Sequence, residues 1–273
     1  MALDFTEYFE KYEAIVAEVD AVFKTFENEM GDLVKCGKGC SDCCYALFDV
    51  TLVEAMYINA KFNEKFSGLE RSQIMTRADK ADRQIHKLKR KIYKASQAGQ
   101  ATNEILLEVA KARVRCPLLN DEGLCSIYEN RPITCRLYGV PTSIGGQAHT
   151  CSMSGFKGGE KYPTVNMDII LDRLLSIGKE LQEGIGSRFD ELSEMLLPLS
   201  MALVTDYDEQ YLGVGEAVNL TVPKKQVDIL EQTPPKKVVE PDAPKPEACA
   251  TCTQSGAACE SCGEMIVLGG EEK

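Results

Sequence analysis

Apolar residues recur at alternating steps of four and three along the start of the chain, at Phe5, Phe9, Tyr12, Val16, Val19, Phe23 and Phe26. That rhythm keeps returning to one face of an α-helix, so it predicts a long amphipathic helix over this stretch, with Gly31 as its stop. The same spacing at Ile74, Ala78, Ala81, Ile85, Leu88 and Ile92 predicts a second long helix over 69–97. Two such seams imply helices packed side by side. Between them, Thr51 and Glu54 have capping-box spacing ahead of an apolar run from Leu52 to Phe62, which starts another helix there. Thr102 can cap a helix running through Val114 and stopped by Pro117. Helical spacing returns at Ile169, Ile170, Leu174, Leu175, Ile177 and Leu181, and again around Phe189, Leu192, Leu196 and Leu199. The pattern gives six helices and no strand pair, hence a mainly α helical bundle.

The period is lost over 116–163, where Pro117, Gly123, Pro132, Gly139, Pro141, Gly145, Gly146, Gly155, Gly158 and Gly159 accumulate. Something other than a large core is expected to hold this irregular region. Six of the 11 prolines fall between Pro223 and Pro246, mixed with Lys, Glu and Val, which reads as a disordered, Pro-rich flexible linker. Three parts follow: a helical domain over 1–221, a linker over 222–247 and a short tail over 248–273.

Composition narrows the class. The 273 residues are 44% hydrophobic, enough for one sizeable core, and carry 42 Asp and Glu against 31 Lys and Arg, a net charge of -11. An acidic chain has no overall field for nucleic acid. The longest near-continuous apolar stretch, Met195 to Val204, contains Pro198 and Ser200 and is far short of the roughly 20 residues that span a bilayer. No membrane association is expected. Asp4, Glu7 and Glu10 stand where a signal peptide would be basic and then apolar, so a cytoplasmic location is expected.

The 12 cysteines change the picture most. In a reducing compartment, metal ligation or redox chemistry outranks structural disulfides. They fall in three sets, at 36, 40, 43 and 44, at 116, 125, 135 and 151, and at 249, 252, 259 and 262. The first set, Cys36-Gly37-Lys38-Gly39-Cys40-Ser41-Asp42-Cys43-Cys44, packs its thiols into nine residues, with glycines that let the backbone curl around one metal centre. The neighbouring helix N-terminus and Lys38 are expected to lower thiol pKa values. Zinc and iron both accept four thiolates, so spacing alone names neither. The CxxxCxxC spacing is also that of radical SAM enzymes, and Gly158-Gly159-Glu160 resembles their SAM-contacting triplet. A long phenylalanine-rich helix before Cys36, where those enzymes have a barrel strand, argues against that fold.

The second set reads Cys116-Pro117-Leu118-Leu119, then Gly123-Leu124-Cys125-Ser126-Ile127-Tyr128-Glu129-Asn130-Arg131-Pro132-Ile133-Thr134-Cys135-Arg136, with Cys151 beyond. With the CxxxCxxCC opening, this resembles the YkgJ family, the CxxCxxCC zinc- or iron-chelating domain, over about 33–155. The resemblance implies eight metal-site candidates, Cys36, Cys40, Cys43, Cys44, Cys116, Cys125, Cys135 and Cys151. Relatives follow the Cys-Arg pair with an aromatic residue and proline, whereas this chain has Leu137-Tyr138-Gly139-Val140-Pro141. The resemblance extends to flagellin lysine N-methylases and so implies a protein-modifying role, although no glycine-rich turn for SAM is present.

Eight thiols allow one cluster with spare sulfurs or two sites, and one cluster is preferred. A 4Fe-4S iron–sulfur centre ranks ahead of zinc, with copper or redox-only thiols behind. His149 is a spare ligand candidate that reads more simply as a surface residue. Arg131 and Arg136 can donate to cluster sulfurs, or, more simply, pair with Glu129 or Asp121, and Tyr128 and Tyr138 are expected to pack over the site. In the tail, Cys249-x2-Cys252-x6-Cys259-x2-Cys262 reads as a small knuckle binding zinc or another thiophilic metal, with a tethered carrier or a redox dithiol pair as alternatives. Between Arg71 and Arg115 there are 12 Lys or Arg and four Asp or Glu, a local charge of +8. That face is either solvated or docks an acidic protein partner. Overall the sequence reads as a metal-binding protein with a cysteine-ligated centre, either an enzyme or a binding and metal-handling module.

Overall fold

The computed structural model describes residues 3–100 and 112–215, together with the backbone of Met265–Ile266. Helix α1 (Thr6–Met30) carries the first seam and buries Tyr12, Ile15, Val19 and Phe26. A 3-10 turn (Asp42–Tyr45) leads to strand β1 (Asp49–Thr51), which runs straight into α2 (Leu52–Lys65), and α3 (Gly68–Gln97) follows. After 112 come α4 (Ile133–Leu137), the hairpin β2 (Thr142–Ile144) and β3 (Gln147–His149), and β4 (Thr164–Asn166). Then come α5 (Met167–Gly184), β5 (Leu196–Pro198), α6 (Leu199–Val204) and, near the chain end, β6 (Met265–Ile266). Helix dominates and the fold is mainly α.

The two heptad seams serve separate cores, which corrects the side-by-side pairing. On α1, Tyr12, Ile15 and Val19 meet Val53 of α2, Ile133 and Leu137 of α4, and Ile170 and Leu174 of α5. On α3, Ile74 and Ala78 pack instead with Ile58 and Phe62 of α2, Leu118, Ile127 and Leu203. Charged side chains fix the α1 contacts: Arg173 clamps Glu18 at 2.7 and 2.8 Å, and the largely buried Arg136 clamps Asp20 at 2.7 and 2.9 Å. The Arg173 pair is bidentate, two nitrogens on two oxygens, and holds geometry that a point charge would not, whereas Arg136 reaches both Asp20 oxygens through Nη1 alone.

Local rules are visible at the helix ends. Thr51 and Glu54 form the capping box at the start of α2. The Asn166 side chain accepts from the Asp168 and Ile169 amides at the start of α5. Asn59 donates its amide to the carbonyls of Ala202, Leu203 and Thr205, which satisfies the C-terminal turn of α6.

Strand pairs are present, against the expectation of none. β1 pairs with β5 antiparallel, and a second sheet has the order β3-β2-β4-β6. Each strand is two or three residues long, too short for alternation to be read along the chain. The helix expected around Phe189–Leu199 is a 3-10 turn (Leu192–Glu194) followed by β5 and only then α6. Pro198 is the reason, since a residue before proline avoids the helical region and α6 can begin only after it.

The irregular region is held partly by apolar burial of its own, at Leu118, Leu119, Ile127, Ile133, Leu137, Val140 and Phe156. Most of the helix expected over 102–114 lies outside the described residues. Residues 112–114 are not helical, and the Val114 amide donates to the Tyr45 carbonyl. The linker over 222–247 and the tail cysteines Cys249, Cys252, Cys259 and Cys262 also lie outside the described residues. Among the described residues no helix is long and apolar enough to cross a membrane.

Candidate metal centre

Four local devices bring the cysteines of the first two sets together. Cys43 and Cys44 sit in the 3-10 turn just after Cys40, where Gly39 takes φ +101° and turns the chain. The segment before Pro117 then runs along that turn, and the Cys116 amide donates to the Cys44 carbonyl at 2.7 Å. Asn120 Oδ1 accepts from the amides of Glu122 and Leu124, and Gly123 at φ +78° completes a tight reversal that pairs Leu119 with Cys125. Cys125 is thereby returned beside Cys116. Cys135 rides on α4, whose first amide, that of Ile133, is held by the Glu54 carboxyl at 3.0 Å. Glu54 is buried and also accepts from Tyr12, the Thr51 amide and the Thr51 hydroxyl, so one side chain ties α1, α2 and α4.

Cys151 follows β3 and is pinned by close backbone approaches. The Gly155 amide donates to the Leu33 carbonyl at 2.7 Å, and a Cβ at Gly155 would stand 2.9 Å from the Leu33 Cα. The tightest approach is at Gly139, where a Cβ would fall 2.1 Å from the Cys36 Cβ and 3.1 Å from its Sγ. Gly139 therefore seats the loop after α4 directly on Cys36. Gly139→Ala is expected to lose at least about 2 kcal/mol of stability through overpacking and to expose Cys36 to thiol reagents. Urea unfolding and labelling of Cys36 check this, and wild-type values for both would show that Cys36 is free to move aside.

The eight thiols surround two adjoining cavities. Cys40, Cys43, Cys44, Cys116, Cys125 and Cys135 line one of about 60 Å³. Cys36, Cys40, Cys43 and Cys151 line one of about 10 Å³, so Cys40 and Cys43 border both. Cys43, Cys44 and Cys135 are buried and cluster with Leu119, Tyr138 and Cys116. Among the described residues no three His, Cys, Asp or Glu side chains already stand as a group around one ion position. The chemistry of the donor set nonetheless fits a soft, thiophilic metal, because the two cavities are bordered by sulfur with apolar and aromatic side chains behind it.

Electrostatics single out Cys43. The neighbouring thiols of Cys135 and Cys44 lower Cys43 and are themselves raised by it, so the three titrate as one coupled group. Burial pushes Cys36 up to about 11 and Cys116 up to about 12, and also raises Cys125 and Cys151. Lowered thiols were expected in the first set; Cys43 follows that expectation, whereas Cys36 and Cys44 are raised. The positive side chain acting on Cys36, Cys43 and Cys125 is Arg131, whose guanidinium lies 3.8 Å over the Tyr128 ring and whose Nε donates to the Tyr128 carbonyl. The Arg136 partner is Asp20 on α1, together with the carbonyls of Arg131 and Glu129, rather than the Glu129 or Asp121 carboxylates. Arg115 takes Asp121 instead.

Three features carried no signal in the sequence. Asp42 accepts from the Cys151 thiol at 3.7 Å and pairs with Arg113 at 2.5 Å, linking the first motif to the second. Gly139 was one glycine among many. A cleft of about 710 Å³ lies beside the thiols, with Cys151, Tyr138, His149 and Asp168 among apolar walls that include Leu47, Ile133 and Ile170. His149 is exposed on β3 and borders this cleft, not the sulfur-lined cavities.

Residues 35–152 match the family model CxxCxxCC, described as "Putative zinc- or iron-chelating domain". This span contains all eight cysteines of the two sets. No curated protein and no solved structure matches the chain.

Proposed function

We propose, for a chain whose residues 35–152 carry a CxxCxxCC zinc- or iron-chelating domain, that the centre they hold is a cysteine-ligated iron–sulfur cluster of the 4Fe-4S type. One observation carries the reading: six thiols border a single small cavity while two more border the adjoining one. Cys40 and Cys43, which border both cavities, with Cys116 and Cys135 on the larger one are the ligands in this reading, and Cys36, Cys44, Cys125 and Cys151 are the remaining candidates. Bound there, such a cluster supplies electron transfer or a Lewis-acidic iron. The protein's own part is to keep the sulfurs desolvated behind Leu119 and Tyr138 and to set the Arg131 charge near them.

Zinc closed by four of the same thiolates is the second reading, in which the centre is structural and the domain an interaction or metal-handling module. The cleft beside Cys151 favours an acting role over a purely structural one, and a protein-modifying enzyme of the lysine-methylase kind is the reaction class suggested by the family likeness. For the tail over 248–273, we read the paired CxxC as a separate site for zinc or another thiophilic ion at the end of a Pro-rich linker over 222–247.

Metal and sulfide analysis of anaerobically purified full-length chain tests these readings. About four irons and four sulfides per chain with a visible chromophore are expected for the domain. Zinc without sulfide would replace the cluster by the structural reading. Truncation after Leu230 is expected to remove one further ion, and an unchanged ion count would remove the tail site.

A further inference from the structure

We propose that the segment around Met265–Ile266 is a docking strand that clips the chain's own tail to the edge of β4, bringing the last cysteine set to the end of the sheet where Cys151 emerges. β6 pairs with β4 in parallel, Met265 opposite Thr164 and Ile266 opposite Val165. β2 is the other neighbour of β4, so β4 would be an edge strand without β6. An open edge is a template for strand addition. The sequence supplies a suitable strand: Met265-Ile266-Val267-Leu268 is the longest unbroken apolar run in 222–273, β-branched at its centre and followed by Gly269-Gly270. The 49 residues of 216–264 give ample reach between Gly215 and Met265.

Strand direction gives the inference its content. β6 is parallel to β4, β4 is parallel to β2, and β3 is antiparallel to β2. Residues preceding Met265 therefore meet the sheet at the same end as those preceding Thr164 and Thr142 and those following His149. That end holds Gly139, seated on Cys36, and Cys151. Across the sheet, Ile266, Val165, Thr142 and His149 stand in one row, about 14 Å from first to last at ordinary strand spacing. Cys262 precedes Met265 by three residues, a reach of about 10 Å, and Cys259 by six, a reach of about 20 Å. The reach to Cys259 exceeds the width of that row, whereas the reach to Cys262 alone does not. If the two cysteine sets bind metal as read above, the clip turns transfer of a thiophilic ion between them into an intramolecular ligand exchange, at an effective concentration of about millimolar or more. That consequence rests on the metal-binding reading, whereas the docking itself does not.

The test uses the full chain and hydrogen–deuterium exchange at 164–166. Ile266→Pro removes an amide from the strand and cannot sit in its ladder. It is expected to speed exchange at these positions at least tenfold, while Glu271→Pro, beyond the strand, leaves it unchanged. Equal exchange in wild type and Ile266→Pro overturns the docking. Protection that rises with protein concentration alongside a dimer in light scattering assigns the strand to a second copy and overturns the intramolecular clip. The same two variants loaded with zinc(II) and challenged with a chromophoric chelator test the consequence: release from Ile266→Pro is expected to be at least threefold faster than from Glu271→Pro, and equal release rates overturn delivery of the tail cysteines. Absence of bound zinc in every variant would count against the metal-binding reading while leaving the exchange result intact.

Discussion

Glu54→Ala is expected to destabilise the domain by about 3–5 kcal/mol, because two buried backbone amides and a buried hydroxyl lose their acceptor at once. The carboxyl accepts from the Ile133 amide, the Thr51 amide, the Thr51 hydroxyl and Tyr12. Its loss would uncap α2 and release the start of α4, the helix that carries Cys135. Glu54→Gln keeps one accepting oxygen and is expected to lose about 1–2 kcal/mol. Urea unfolding of both variants checks the ranking, and an alanine variant within about 1 kcal/mol of wild type would refute the three-helix tie.

The pH dependence has a definite sign. Burial raises the Glu54 carboxyl above its ordinary value of 4.5, so over the window between 4.5 and the raised value the folded protein binds a proton that the unfolded chain does not. The group's contribution to stability therefore grows as pH falls through that window and is lost as pH rises through the folded pKa. Relative to Glu54→Gln, wild type is expected to gain stability on acidification from neutral pH. A gap that moves the other way would show that the four donors outweigh burial.

Cys43→Ser is expected to reduce metal bound by the domain at least about tenfold, since a hydroxyl keeps the shape of the thiol but is a poor ligand for a soft ion. Cys43 borders both sulfur-lined cavities and is the thiol that its neighbours Cys135 and Cys44 lower. Its loss removes one of the two thiols, with Cys40, that border both cavities. The expected readout is metal content after truncation at Leu230, so that tail ions do not contribute. Full metal content in Cys43→Ser would move the centre to the remaining sulfurs. Chelation of wild-type protein is expected to lower its thermal midpoint, and the chelated serine variant to unfold close to chelated wild type.

Legibility followed the range of the interaction. Ile74, Ala78 and Ala81 were readable as a buried seam because helix period is written in neighbouring residues, and they are the buried residues of α3. The Thr51–Glu54 capping box was readable for the same reason. Its second task, holding the Ile133 amide 79 residues away, was not, because nothing near Glu54 in the chain points to α4. Arg136 shows the same limit. Its charge invited a nearby partner, Glu129 or Asp121, yet the Asp20 carboxylate on α1 lies 116 residues away and wins because packing brings α1 against α4. The small strands escaped notice because two or three residues contain no period, and they form only where two distant segments already run side by side.

The sequence by itself determined the long helices α1, α2, α3 and α5, the capping of α2 and the grouping of the cysteines, since side-chain period, turn residues and cysteine spacing are local and carry their meaning without a partner. Tertiary structure decided which cysteines border which cavity, why Gly139 has no room for a Cβ, how Arg131 and Arg136 divide their roles, and where the cleft beside Cys151 opens. Those outcomes depend on distances between segments far apart in the chain, and such distances exist only once burial of the apolar seams has brought α1, α2, α4 and α5 together.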